Sequence, residues 1–210
     1  MNTIVVWGAG NGLGLAIAEH FNAQGFHVTG ISRNPDKSAA MQSACKQVYR
    51  CDATEQDQVE AVVEQLPQDA WVISTMGSYS AEVPVDYIGH RHLINALQAR
   101  QINRFLMVTS LGCGDSWQYL SERARRGFGG AVREKSLAET WLTSSELDYT
   151  IVRPGGLNQG PATQQGELSQ GVEVHGLINR GEVARLIHTL LADPASIGQT
   201  YACVDPTAKR

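Results

Sequence analysis

The segment Trp7-Gly8-Ala9-Gly10-Asn11-Gly12-Leu13-Gly14 can do chemistry without a reactive side chain. It follows the apolar run Thr3–Trp7 and leads into Leu15-Ala16-Ile17-Ala18, so it reads as a turn from strand to helix. Gly8 turns the chain sharply, Gly12 lets the backbone approach a pyrophosphate, and Gly14 allows the helix to pack close to the strand. The unpaired N–H groups at the helix start complete an anion cradle, with Gly10, Asn11 and Leu13 forming its wall. This spacing predicts a dinucleotide site; a plain turn without a ligand is the competing reading.

A second signal lies at the end of the next apolar run, Gly30-Ile31-Ser32-Arg33-Asn34. A carboxylate here would hold the ribose 2′-hydroxyl of NAD; a guanidinium can grip a 2′-phosphate through two hydrogen bonds. Ser32 and Arg33 therefore predict NADP(H) over NAD(H), against the alternative of a solvated surface arginine. Asp52, after the third run, either meets the adenine amino group or caps the following helix. Ser110, at the end of the fifth run, is a candidate catalytic hydroxyl near the nicotinamide, or a partner for its own loop.

These groups need a scaffold. Thr3–Trp7, Phe26–Ile31, Gln47–Cys51, Ala70–Ser74, Arg104–Thr109, Tyr149–Arg153 and Thr200–Val204 read as strands, several with both faces apolar as in a parallel sheet. Between them Val59, Val62, Val63 and Leu66, and later Val183, Leu186, Ile187, Leu190 and Leu191, repeat with helical period. Pro35 should sit just inside the helix after the second strand. Alternation of this kind predicts an α/β fold with a doubly wound parallel sheet, Rossmann-type, as a single domain over residues 1–210. Ligands then sit beyond the carboxyl ends of the strands. Leu111–Gly130 and Gly155–Gly176 lack strong periodicity and are expected to be irregular loops on the substrate side.

The residues quoted so far resemble the short-chain dehydrogenase/reductase superfamily. The resemblance extends through Ile73-Ser74-Thr75-Met76-Gly77, Val108-Thr109-Ser110, Lys135-Ser136-Leu137-Ala138-Glu139, Leu147 to Leu157 and Ile178 to Ala184. The chain is most similar to the atypical branch, NmrA-like and biliverdin-IXβ/flavin-reductase-like. That likeness implies cofactor contacts at Ala53, Met76 and Gly77, and a passage of Pro154, Gly155, Gly156 and Leu157 beside the carboxamide. It implies a ribose-binding, candidate catalytic role for Lys135, with a plain helix-surface lysine as the alternative. Two departures matter. The catalytic tyrosine of the superfamily is replaced by Ala131, and Gly156 stands where the flavin/biliverdin reductase has a histidine.

Without that tyrosine an ordinary ketone loses a proton donor worth about 10²–10⁴-fold in rate. A planar conjugated acceptor, such as a flavin, a linear tetrapyrrole or a quinone, can take its proton from solvent. The expectation is an NADPH-dependent reductase of such an acceptor; the alternative is a non-catalytic NADP(H)-sensing regulatory or assembly protein. Tyr79, Trp117, Tyr119 and Phe128 either stack on the acceptor or pack their loops. Arg123, Arg125 and Arg126 either bind a phosphate or propionate or form a solvated helix face.

Composition limits the remaining classes. With 42% hydrophobic and 18% charged residues, the chain can bury a core. A net charge of −4 and a pI near 5.8 argue against nucleic acid. Cys45, Cys51, Cys113 and Cys203 are too scattered for a zinc site or disulfide framework, so no metal is expected. The chain enters a strand at once and has no run long enough to span a membrane, which predicts a cytoplasmic protein. A monomer or small homo-oligomer is expected.

Overall fold

The computed structural model describes residues 3–78 and 82–209. Strands β1 (Thr3–Trp7), β2 (His27–Ser32), β3 (Gln47–Arg50), β4 (Trp71–Ser74), β5 (Arg104–Val108), β6 (Asp148–Pro154), β8 (Glu167–Ser169) and β10 (Gln199–Val204) form one sheet in the order β3-β2-β1-β4-β5-β6-β10-β8. Every pairing is parallel except β10 with β8. Short strands β7 (Gly156–Asn158) and β9 (Leu177–Asn179) pair separately. The fold is a single Rossmann-like α/β domain, and its strand order turns back between β1 and β4.

The apolar runs serve both faces because side chains alternate along a strand. Ile4, Val6, Ile73, Leu106 and Val108 face one layer of helices: α1 (Gly12–Ala23), α2 (Ala39–Ala44) and α6 (Arg180–Ala192). Val5, Trp7, Val72, Phe105 and Met107 face the other layer: α3 (Gln56–Val63), α4 (Val85–Ala99) and α5 (Glu122–Thr143). Each face thus carries its own core, and the sheet is buried between them.

Four local expectations need correction. Pro35 opens a 3₁₀ turn, Pro35–Lys37, rather than the helix itself. The helix α2 starts later because the Ser38 hydroxyl accepts from Met41 N at 3.2 Å and caps it there. Asp52 is not a helix cap: its carboxylate accepts from Thr54 N and Thr54 Oγ1, forming a tight turn, and α3 begins after Glu55. The expected loop Leu111–Gly130 contains a 3₁₀ turn, Gly114–Tyr119, and ends at Ser121, whose hydroxyl accepts from Ala124 N and starts α5. Gly127, Gly129 and Gly130 interrupt its apolar pattern, and the apolar positions that anchor the helix, Val132, Ala138 and Leu142, come after them. Within 155–176, β7 and β8 are regular.

Candidate functional site

A cleft of ≈ 1340 Å³ runs along the carboxyl ends of β2, β1, β4, β5 and β6. Of the residues expected from sequence, Gly8, Gly10, Asn11, Leu13, Ser32, Arg33, Ala53, Met76, Gly77, Ser110, Lys135, Pro154, Gly155, Gly156 and Leu157 line it. Gly12 and Asp52 do not. Gly12 lies exposed at the start of α1, and the Asp52 turn lies behind Cys51 and Ala53.

The glycine turn has the geometry that its residues require. Gly8 adopts φ +84° and Gly12 φ +56°, a region that side-chain-bearing residues rarely occupy. A Cβ on Gly14 would lie 2.2 Å from Gly8 O, so only glycine lets α1 approach the turn this closely. Helix α1 has no side-chain cap and no acidic residue in its first turn. Its N-terminal N–H groups and dipole are therefore left for an anion.

Three buried polar atoms beside this turn have no partner among the described residues: Trp7 Nε1, Ser32 Oγ and Arg180 Nε. Buried donors and acceptors are normally paired, so each marks a place for a ligand group or water. Ser32 Oγ lies 3.4 Å from a Cβ built on Gly10, and Arg180 Nε lies 3.9 Å from one built on Gly12. The cleft edge near Arg33 also carries Lys37 and Ser38. Neighbouring Arg50 is instead neutralised by Asp36. These residues fit a dinucleotide: the turn and Arg180 for the pyrophosphate, Ser32, Arg33 and Lys37 for the adenosine end. Sequence reasoning missed Arg180 and Lys37. The first stands 168 positions beyond Gly12 (180 − 12), and only the fold brings them together.

At the other end, Lys135 is neither a plain surface lysine nor unpartnered. Its Nζ lies 2.8 Å from Asp86 Oδ1 and donates to Met76 O at 3.3 Å. Asp86 is fully buried, and its second oxygen accepts from Ser78 N and Ser78 Oγ. Below it, His90 bonds Ser74 Oγ at 2.9 Å and Asp86 O at 2.6 Å. Burial, helped by the Lys135 charge, pushes the His90 imidazole down to about 4, so it is neutral and structural at neutral pH. Cys51 also lines the cleft, and burial pushes its thiol up to about 12, which makes it inert. Asp86 was missed because an acid in a first helical turn ordinarily signals only helix stabilisation.

Ser110 lines the cleft with its hydroxyl 3.6 Å from Cys113 Sγ. Ala131 lines it as well and offers no proton. Tyr119 and Phe128 face the cleft, but Trp117 does not: it is clamped between Arg125 and Arg133, 5.5 and 5.0 Å from its ring. Tyr79 lies outside the described residues. Arg126 pairs with Glu122 on an exposed face, while Arg125 donates to Trp117 O and Gln118 O. Beneath the loop lies an ion network that sequence reasoning also missed. Arg153 donates to both oxygens of buried Glu139, at 3.0 and 2.7 Å, and to Asp115 Oδ1 at 2.5 Å. Thr109 Oγ1 donates to Glu139 at 2.6 Å. Burial opposes the Arg153 charge, but the two carboxylates outweigh it and raise the guanidinium above its usual range.

Among the described residues, no helix is long and apolar enough to cross a membrane, and no group of His, Cys, Asp and Glu could hold a metal. Residues 8–194 match the family described as NAD(P)H-binding. ChuY, an anaerobillin reductase from Escherichia coli O157:H7, is 41% identical, with 100% of both chains covered and a TM-score of 0.91. The chloroplastic protein TIC 62 of Pisum sativum is 28% identical over an alignment of 182 residues that covers 75% of this chain and 33% of that protein. The chain thus spans about a third of this curated relative. A short-chain dehydrogenase/reductase from Veillonella parvula in complex with NADP is 18% identical, with 98% of this chain and 95% of that one covered and a TM-score of 0.73. That last likeness is one of fold alone.

Proposed function

The chain belongs to the NAD(P)H-binding family, and from that premise we propose that it is an NADPH-dependent reductase of a linear tetrapyrrole. The observation that carries this reading is the full-length, 41% identical likeness to an anaerobillin reductase. The chemistry of the cleft supports it. A bound dihydronicotinamide supplies a hydride, and the protein's part is to hold donor and acceptor in register. The glycine turn and Arg180 bind the phosphates, and Arg33 and Lys37 favour a 2′-phosphate where an NAD site would carry a carboxylate. Asp86 fixes Lys135 against the cleft wall, where its ammonium binds the cofactor's hydroxyls. Ser110 orients the acceptor. Ala131 puts no phenolic acid one helical turn before Lys135, which suits a conjugated acceptor that takes its proton from solvent. Four buried cysteines, none in a disulfide, suit the cytoplasm or another reducing compartment.

The test is anaerobic NADPH oxidation with biliverdin, FMN and a benzoquinone. Turnover with the bilin at the highest kcat/KM is expected. Turnover with the flavin or quinone alone would overturn the acceptor assignment, and tight NADPH binding without any turnover would overturn the enzymatic reading.

A further inference from the structure

A second cavity, of ≈ 230 Å³, opens behind the loop that follows β5. Leu111, Tyr119, Leu120 and His175 line both it and the dinucleotide cleft, so the two adjoin across a shared wall. Whole drug-sized ligands occupy about 300–1,000 Å³, so this cavity has room for one ring of a longer molecule.

Its floor is a row of side chains in register across three strands. Ala202 of β10 pairs with Arg153 of β6 on one side and with Ser169 of β8 on the other, and all three line the cavity. The roof is the loop from Leu111 to Tyr119. Gly112 and Gly114 hold φ +94° and +53°, and a Cβ on Gly114 would lie 2.5 Å from Arg153 Nη2. Glycine thus lets the backbone close down on the guanidinium, and the Asp115–Arg153 bond fastens it there.

The charge of the cavity selects its occupant. Arg153 is the cation, but Glu139 and Asp115 both bind it, so the cluster carries one net negative charge. Asp115 is held as an anion because the Arg153 hydrogen bond lowers its carboxyl below the usual range. Its Oδ1 accepts from Arg153, the backbone N–H groups of Asp115 and Ser116 lie beside the carboxylate, and the side chain is 71% exposed, which leaves an acceptor position open to a ligand. Arg153, held by its two carboxylates, offers no free cation to a ligand carboxylate, while Asp115 offers an acceptor oxygen to a neutral N–H group.

We propose that this cavity is a subsite for one terminal pyrrolic ring of the acceptor, with the ring N–H directed to Asp115 and the carboxylates left in the wider cleft. The inference rests on the linear-tetrapyrrole reading and adds how that acceptor is gripped. A compact acceptor such as FMN ends in the cleft and does not use the subsite.

Two variants of the full chain test it. Ala202→Phe fills the floor and leaves the cofactor cleft untouched, since Ala202 lines only the cavity. Asp115→Asn keeps an oxygen for Arg153 but removes the charge. Biliverdin is titrated by its visible absorbance into the NADP⁺-saturated protein, and NADPH binding is measured by fluorescence as the control. In Ala202→Phe the bilin Kd should rise about tenfold, the weight of a lost buried ring, with NADPH binding unchanged. Asp115→Asn should raise it about threefold to tenfold. Bilin binding equal to the parent in both variants overturns the subsite while leaving the bilin reading intact. If the parent itself does not bind biliverdin, the acceptor reading fails and the subsite with it.

Discussion

The two ends of the cleft are built in opposite ways. The dinucleotide end is mostly local: Gly8 to Gly14 form one turn, Ser32 to Ser38 lie a single helix and strand later, and Arg180 joins them from far along the chain. It works through backbone N–H groups, glycine conformations and a helix dipole, to which Arg33, Lys37 and Arg180 add charge. The acceptor end draws Asp115, Glu139, Arg153, Ser169 and Ala202 from five separate segments and works through side chains and buried charge. Backbone chemistry suits the phosphates that every dinucleotide shares. Side chains collected from distant segments can change one at a time, and they set what differs between relatives of this fold.

That contrast predicts where the molecule breaks most easily. Glu139→Ala leaves Thr109 without its acceptor and removes the buried partner of Arg153, which is 8% exposed. Stability should fall by about 3–5 kcal/mol, the usual result of breaking a buried ion pair from one side. Urea unfolding would measure it, and a loss below about 1 kcal/mol would show the network to be no stronger than a surface pair. Cofactor affinity in the surviving folded fraction should stay near that of the parent, because Glu139 does not line the dinucleotide cleft.

Acid separates the ends in the other order. His90, beneath Asp86, is held down to about 4 from an ordinary 6.5, first by burial. Burial also lowers His20, with help from His188 and Arg185, and it lowers His188, the two rings meeting between α1 and α6. A histidine that resists protonation in the fold takes up protons on unfolding, so its contribution is full above pH 6.5 and is lost as pH falls toward 4. His90 alone should account for up to about 3 kcal/mol across that window. Asp115 has the opposite chemistry: Arg153 lowers its carboxyl, and its contribution is lost only below the usual carboxylate range. Unfolding free energy should decline first between pH 6.5 and 4, and His90→Gln should flatten that decline. An unchanged slope in His90→Gln would show that this buried imidazole does not set the acid response.

Cofactor choice is a smaller effect, confined to the first region. Arg33→Ala should weaken NADPH by about 1.5–3 kcal/mol, ten- to hundredfold, and leave NADH nearly unchanged. Fluorescence titration with both cofactors measures it. Equal NADPH and NADH affinities in the parent would overturn the preference for NADP(H); a preference that survives Arg33→Ala would move it to Lys37, which Lys37→Ala would then test.

The same contrast explains what could be read before the fold was known. The glycine turn and the end of β2 were legible because strand, turn and helix follow one another and each glycine has a steric reason. The apolar runs of β1, β4 and β5 were legible because a sheet covered on both faces demands them. Helix α5 was obscured at its start by Gly127, Gly129 and Gly130, since the apolar positions that bury it, Val132, Ala138 and Leu142, come only after them. Asp86 was hidden for another reason: its meaning depends on Lys135, 49 positions away (135 − 86). Arg153 was quoted only as part of a strand end, and nothing nearby signals that Glu139 and Asp115 neutralise it.

Ser110 lies where the two ends meet, and it should give the smallest effect. It follows β5, lines the cleft, and among the described residues has only the weak, long contact to Cys113 Sγ for its hydroxyl. A hydroxyl held so loosely can orient an acceptor, but nothing beside it could take or return its proton. Cys113 itself is pushed up by burial and by Glu139, so it is no base at neutral pH. Ser110→Ala should therefore lower kcat/KM for a bilin by about threefold to fivefold, under 1 kcal/mol, with NADPH affinity unchanged. The pH profile of kcat should keep its shape, because solvent still delivers the proton. A loss of 10²-fold or more, which is the scale of a general acid, would make the hydroxyl essential. The acceptor end would then carry proton chemistry of its own, and the division between a backbone-built binding end and a side-chain-built selecting end would have to be redrawn around Ser110.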